Sequence, residues 1–381
     1  MQTIGAGSPS LAHVAESQGI ILQGDNISSL SLLEPVVKGD VRCVYMDPPY
    51  RNGESYREYD DTQTHEQWLT YMASLLPRVW SVLSGDGSIW ISIDDAEMAY
   101  LKVLCDVCFG RESHISTIVW EHRTTRENRA AFSHNHEYIL VYAKDPDRFR
   151  GTRNKIPAPE LTKRYKNPDS DPRGPWQSVT ATAQAGHAVA SQYYDIVSPT
   201  TGKVSRPPKG RCWVYAQERM HREIEDGRIW FGPDGNGVPR IKKYLADSEP
   251  TVVSGTLWTA ADVGTATSAK KQMLKMFPEG ESDVFATPKP EGLLQRILMI
   301  ATNPGDLVLD PFLGSGTTAA VAHKTGRRYV GIDSSPASIE YACRRLQLVV
   351  DGDQSGISPK VSWHGGGSFR SYALEQAARM L

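Results

Sequence analysis

At 381 residues, 40% hydrophobic and 23% charged, the chain is long enough to bury a large core and has the balance of an ordinary water-soluble protein. No apolar run nears the roughly 18 residues of a membrane-spanning helix, and the N-terminus lacks a basic-then-apolar export pattern, so a cytoplasmic protein with no membrane partner is expected. Five scattered cysteines argue against a disulfide framework, and a net charge of −2 does not by itself announce a nucleic acid.

Residues 1–18 are weakly patterned and read as a loose arm. Gly19 to Gln23 reads as a short strand, and Asp25 or Asn26 supplies the cap of a following helix. Val41 to Tyr45 is an apolar run of buried-strand type, closed by Met46-Asp47-Pro48-Pro49-Tyr50. The prolines stop the strand, fix two φ angles and remove two backbone donors. A carboxylate, a fixed carbonyl and an aromatic ring thus gather at a strand's carboxyl end, where open parallel sheets bind ligands. That set suits the exocyclic amine of a nucleobase: Asp47 accepts one hydrogen, the Pro48 carbonyl the other, and Tyr50 stacks on the ring.

Arg51 to Asp61 is too polar for core and reads as a loop over the site. His65 to Leu83 has helical spacing, with one oddity at Pro77. Gly85 to Gly87 reads as a turn, Ser88 to Ile93 as a strand, and Asp94-Asp95 as the cap of a helix over 96–108. The Cys105 and Cys108 pair lies in that helical pattern without a second pair to make a metal site. Strands are expected over 115–120 and 136–143. Between them Arg123, Arg126 and Arg129 are candidates for nucleic-acid phosphates, while His134 and His136 lack partners for a metal, and none is expected.

From Asp145 to about Ala260 the strand–helix alternation stops, and turn signals accumulate. Residues 145–249 carry 18 Lys and Arg against 13 Asp and Glu, an excess of +5 within a chain of net charge −2. Candidate nucleic-acid contacts here include Arg206, Lys209, Arg211, Lys242 and Lys243. Regular patterning returns with a helix over 268–280, then Val284 to Pro290, a helix over 293–301, and a strand at Leu307 to Leu309. Asp310-Pro311-Phe312-Leu313-Gly314-Ser315-Gly316-Thr317-Thr318 follows: a glycine loop opening a helix, without the lysine of a phosphate-binding loop. Arg328 to Asp333 is a strand, 334–350 a helix, and the tail Gly-rich then weakly helical.

Asp47-Pro48-Pro49-Tyr50 resembles the catalytic motif of amino-group DNA methyltransferases, and the loop from Asp310 to Thr318 resembles their S-adenosylmethionine (AdoMet) loop. The catalytic motif precedes the cofactor motif, the order of the family's β class, and the resemblance over most of 20–345 is strongest to adenine-specific enzymes such as type III modification subunits. It implies a doubly wound, mostly parallel seven-stranded Rossmann-like sheet, built from residues 1–144 and 261–381 around a target-recognition insert at 145–260. It implies AdoMet as cofactor, with Asp310 on the methionine amino group, Phe312, Gly314, Gly316, Thr317 and Thr318 around it, and Thr287 and Lys289 near its carboxylate. Asp333 would grip the ribose and Asp25 flank the adenine. The implied partner is double-stranded DNA with the target base flipped, and the resemblance leaves room for a homodimer or a restriction subunit. The alternatives are transfer to cytosine N4, an RNA substrate, and a recognition subunit of a restriction complex. The chain is short beside type III subunits, which fits a stand-alone methylase. Arg51 stands where the family usually has Asn, which sets this loop apart.

Overall fold

The computed structural model describes residues 2–4, 17–51, 63–129, 131–247, 250–278 and 285–374. The chain divides into two compact units, Met1–Lys155 with Ser254–Leu381, and Ile156–Val253. The second unit is shorter than the expected insert: Pro146–Thr152 is a helix of the first unit, capped by Asp145, with Phe149 buried.

The first unit is built on a ten-stranded sheet in the order Gln2–Ile4, Phe369–Leu374, Gly19–Gln23, Arg328–Asp333, Leu307–Asp310, Val41–Met46, Leu83–Ile93, His136–Ala143, His114–Glu121, Leu257–Trp258. All seven expected strands are in it. The three additional strands lie at the edges, and the two terminal ones correct the reading of arm and tail: residues 2–4 pair in parallel with 372–374. All neighbours run parallel except His136–Ala143, antiparallel to both of its own. Val41–Met46 is buried throughout, as expected of a strand covered on both faces.

The crossovers follow from local sequence. Thr64 and Gln67 form a reciprocal cap that starts the helix His65–Val82. Trp68, Met72, Leu75, Leu76 and Val79 bury one face of it, while Pro77 sits on the exposed side, where the carbonyl it leaves unbonded meets water. Gly85-Asp86-Gly87 is not a turn between helix and strand but a bulge in Leu83–Ile93, which skips register between Val41 and Cys43. Helix Met98–Phe109 starts later than expected, and its N-cap is Glu97 rather than Asp94 or Asp95. No described helix is long and apolar enough to cross a membrane.

The second unit has a three-stranded antiparallel sheet, Ile229–Trp230, Arg240–Tyr244 and Trp176–Thr180, and a small core around Trp213, Met220, Ile196 and Phe231. On Arg240–Tyr244 the two-residue period turns Lys242 and Tyr244 inward and Lys243 outward. Lys242 is therefore not a DNA contact: it is buried, 2.5 Å from Asp169 and 2.8 Å from Asp171. Arg173, with Lys242 and Tyr244, holds the Asp171 carboxyl well below the usual carboxylate range. Truncating a buried ion-pair partner strands the opposite charge. Lys242→Ala should destabilise this unit by about 3–5 kcal/mol in a denaturation series, and Lys243→Ala by no more than about 0.5 kcal/mol.

Candidate active site

Parallel strands place their carboxyl ends on one rim, so the polar residues that end each apolar run converge there. The chain leaves Val41–Met46 toward one side of the sheet and Leu307–Asp310 toward the other, and these two strands are hydrogen-bonded neighbours. This is the topological switch point at which such sheets open a crevice. A cavity of about 850 Å³ lies at this rim, within the size range of small-molecule sites. It is lined by Asp47, Pro48, Pro49 and Tyr50, by Asp25, and by Thr287, Lys289, Asp310, Phe312, Gly314, Thr317, Thr318 and Asp333.

The catalytic-motif wall is tied together by its own side chains. Trp68 Nε1 donates to the Pro49 carbonyl at 2.8 Å. The single Tyr50 hydroxyl proton is shared between two acceptors, Asp47 Oδ1 at 2.8 Å and Glu137 Oε2 at 3.0 Å. Lys289 Nζ lies 2.9 Å from Asp47 Oδ1, 3.5 Å from Glu137 Oε2, and 4.8 Å from the centre of the Tyr50 ring. Burial pushes the Asp47 carboxyl up, Lys289 offsets part of this, and Glu137 adds to it. For Lys289 burial opposes the charge, but Asp47 and Glu137 outweigh it and raise its pKa.

The glycine-loop wall is an anion-rich cradle. Asp310 is buried, accepts from the Phe312 amide at 2.9 Å, and is pushed up to about 7 by burial. Asp333 accepts from the Gly314 and Ser335 amides, each at 2.9 Å, and burial raises its pKa too. Gly314 has φ +49°, and a Cβ there would come within 3.2 Å of Phe285. Gly316 is not in the cavity wall. It caps the helix Thr317–Lys324 in the left-handed region, and its backbone packs on Ala342, so its role is packing. Below the loop, Glu291 binds Lys324 at 3.0 Å and Arg345 at 2.9 Å, all three buried, and Arg345 donates on to the Ser315 carbonyl and Thr317 hydroxyl. Asp25 combines both of its readings: it accepts from the Ser28 amide as a helix cap and lines the cavity.

Residues outside this rim behave differently. Arg126 is exposed, and Arg123 bonds Thr125 and faces Glu127 at 4.0 Å. In the second unit Lys209 and Lys243 are exposed. Arg206 is paired in a fork with Asp195, and Arg211 bonds the Thr182 hydroxyl and carbonyl. His136 bonds Tyr138, and no cluster able to hold a metal exists among the described residues. Of the loop 51–61 only Arg51 is described; its Nε sits 2.5 Å from the buried Glu97, which also takes His65 Nδ1 at 2.9 Å. Sequence reading missed Glu137 and His122, which face each other at 3.5 Å and line the same cavity. Glu137 stands near the start of its strand. Only the antiparallel direction of that strand brings it to the rim.

A profile of the DNA methylase family matches residues 41–344, a span running from the motif strand to the helix beyond Asp333. The chain belongs to the DNA methylase family. It is 31% identical to the StyLTI Mod subunit of a type III restriction-modification enzyme from Salmonella typhimurium, over 81% of this chain and 50% of the relative. It is 28% identical to the type II methyltransferase M.EcaI of Enterobacter cloacae, over 88% of this chain and 72% of the relative. It is 24% identical to the DNA adenine methyltransferase YhdJ of Escherichia coli, over 86% and 82%. The chain spans about half the length of the type III relatives it matches.

The site carries a stability cost with a definite pH dependence. Folding moves Asp310 from an ordinary 3.8 to about 7, so the folded state holds a proton that the unfolded chain releases. Stability contributed at this position therefore falls as pH rises from about 4 to about 7. Asp310→Asn should raise the melting temperature at pH 8 and leave it nearly unchanged below about pH 3, where Asp310 is protonated in the folded and the unfolded chain alike.

Proposed function

We propose that this methylase transfers a methyl group from AdoMet to N6 of adenine in a short sequence of double-stranded DNA, with the target base flipped out of the duplex. The observation that carries the reading is the adjacency of Leu307–Asp310 and Val41–Met46, which brings the Asp47 motif and the glycine loop to one cavity. Membership of the family supports the reaction class, and the adenine methyltransferase among the relatives supports the base. The type III Mod subunits support a restriction–modification setting.

The residues fit the cofactor. A buried carboxylate at Asp310 suits an ammonium, Asp333 suits ribose hydroxyls, and the backbone at Gly314 leaves room that a side chain would fill. Lys289, assigned by resemblance to the cofactor carboxylate, sends its ammonium to Asp47 and Glu137 instead, while its backbone carbonyl accepts from Thr317. Bound there, AdoMet supplies a methyl group on an electrophilic sulfonium. The protein's own contribution is positioning and exclusion of water. Asp47 and the Pro48 carbonyl accept the two amino hydrogens, drawing the nitrogen lone pair out of the ring. Tyr50 forms the stacking wall, its hydroxyl held by Asp47 and Glu137. Basic side chains of the second unit, Lys209 and Lys243 among them, are the candidate duplex contacts there; Arg123 and Arg126 are those of the first unit.

Expression in a methylation-free bacterial host followed by modification-sensitive long-read sequencing tests this. N6-methyladenine is expected in one short motif, and Asp47→Ala should lower transfer by about 100-fold or more. N4-methylcytosine would keep the mechanism and overturn the adenine assignment. No mark from a folded protein that binds AdoMet would overturn the reading.

A further inference from the structure

Asp47, the carboxylate that faces the target amine in the reading above, has a hydrogen-bond donor fixed beside it. Lys289 Nζ lies 2.9 Å from Asp47 Oδ1, its side chain is 11% exposed, and it lines the same cavity. An acceptor next to a donor is what a complementary base presents to adenine: the acceptor meets the N6 amine, and the donor meets N1. Flipped bases are read on this same edge. A carboxylate has lone pairs enough to serve Lys289, Tyr50 and an amine together.

Glu137 explains how the ammonium keeps its place. With Asp47 alone as partner, Lys289 would lose part of its compensation whenever Asp47 turned to an amine, and an uncompensated buried charge is costly. Glu137 Oε2, 3.5 Å from Lys289 Nζ and 3.0 Å from the Tyr50 hydroxyl, is a second carboxylate partner. Resting on the methyl-transfer reading, we propose that Lys289 determines base specificity: its ammonium donates to the unprotonated ring nitrogen beside the target amine, N1 of adenine, with Glu137 as its positioning residue. A guanine turns an N–H toward that ammonium and is rejected. Cytosine offers N3 beside its amine and meets the same pair.

The test uses the full chain and a duplex containing the recognition sequence found by methylome sequencing, with the target as adenine or as 1-deazaadenine, in which C–H replaces N1 and the amine stays. Wild-type transfer to the adenine duplex is the control; its absence sinks the methyl-transfer reading before the analogue is read. Given that activity, the analogue should lower kcat/KM by about 10- to 150-fold, the worth of a hydrogen bond to a charged group. Lys289→Met should lose a similar factor on adenine and discriminate the two duplexes by less than about threefold, while Lys289→Arg, which keeps a donor, restores discrimination. Wild-type enzyme that methylates both duplexes equally overturns the proposal, whatever the variants do. So does a Lys289→Met enzyme that keeps the wild-type discrimination, above all if its AdoMet affinity falls, since that would return Lys289 to the cofactor.

Discussion

Everything at the site depends on the hydrogen-bonded pairing of two strands that lie far apart in the chain. Leu307, Val308 and Leu309 are in register with Val41, Cys43 and Val44, and the side chains of these six residues are almost wholly buried. The pairing carries one irregularity, at Arg42, where Val41 and Cys43 face the consecutive residues Leu307 and Val308. Held in this register, the strands set Asp47 and Asp310 at adjacent ends of a parallel sheet. The crossover helices leave in opposite directions, which opens the crevice between them.

The cavity is organised by charge taken out of water. Asp310 and Asp333 make the glycine-loop wall acidic, and burial raises both pKa values, so the wall is primed for a cationic or hydroxyl-bearing ligand. The opposite wall is arranged otherwise, because Lys289 there compensates Asp47 and Glu137. Beneath the loop, Glu291, Lys324 and Arg345 form a third group, and its hydrogen bonds are spent on holding Ser315 and Thr317 in place. One wall thus holds its carboxylates with backbone amide donors, and the other sets an ammonium between carboxylates. A rigid buried network fixes the loop between them, much as supporting hydrogen bonds fix ligands in other preorganised sites.

The parts legible in the sequence were those written locally. The buried run from Val41, the Pro-Pro stop after Asp47, and the glycines before Thr317 each state their conformation within a few residues. What escaped depended on partners far away. Residues 2–4 form a strand only because 372–374 lie beside them, and neither segment has a pattern of its own. Glu137 looked like the polar start of an apolar strand; strand direction, which composition does not encode, made it a site residue. Lys242 and Lys243 are neighbours of the same charge, and only the pleat of Arg240–Tyr244 separates a buried ion pair from a surface cation. Gly316 looked like a second close approach to a ligand, but the close approach it makes is to Ala342.

If Asp47 and Lys289 read the base as proposed, the matched wall also divides the labour of recognition. On the Watson–Crick edge an amine beside an unprotonated ring nitrogen is common to adenine and cytosine, so a pocket that reads this pair, as proposed, would reject guanine and thymine and leave the two amino bases to be separated by other means. Size is one of these, since a purine reaches further than a pyrimidine from the same amine. Sequence is the other, and in the proposed reaction it would be read on the duplex, apart from the flipped base. That task suits side chains outside the sheet rim, where conformations can change without disturbing the pairing of Val41–Met46 with Leu307–Asp310. The compact unit Ile156–Val253 has its own core, so changes on its surface leave the sheet's packing intact. On the proposed reading, chemistry would be placed where burial holds geometry constant, and sequence choice where exposure lets it vary.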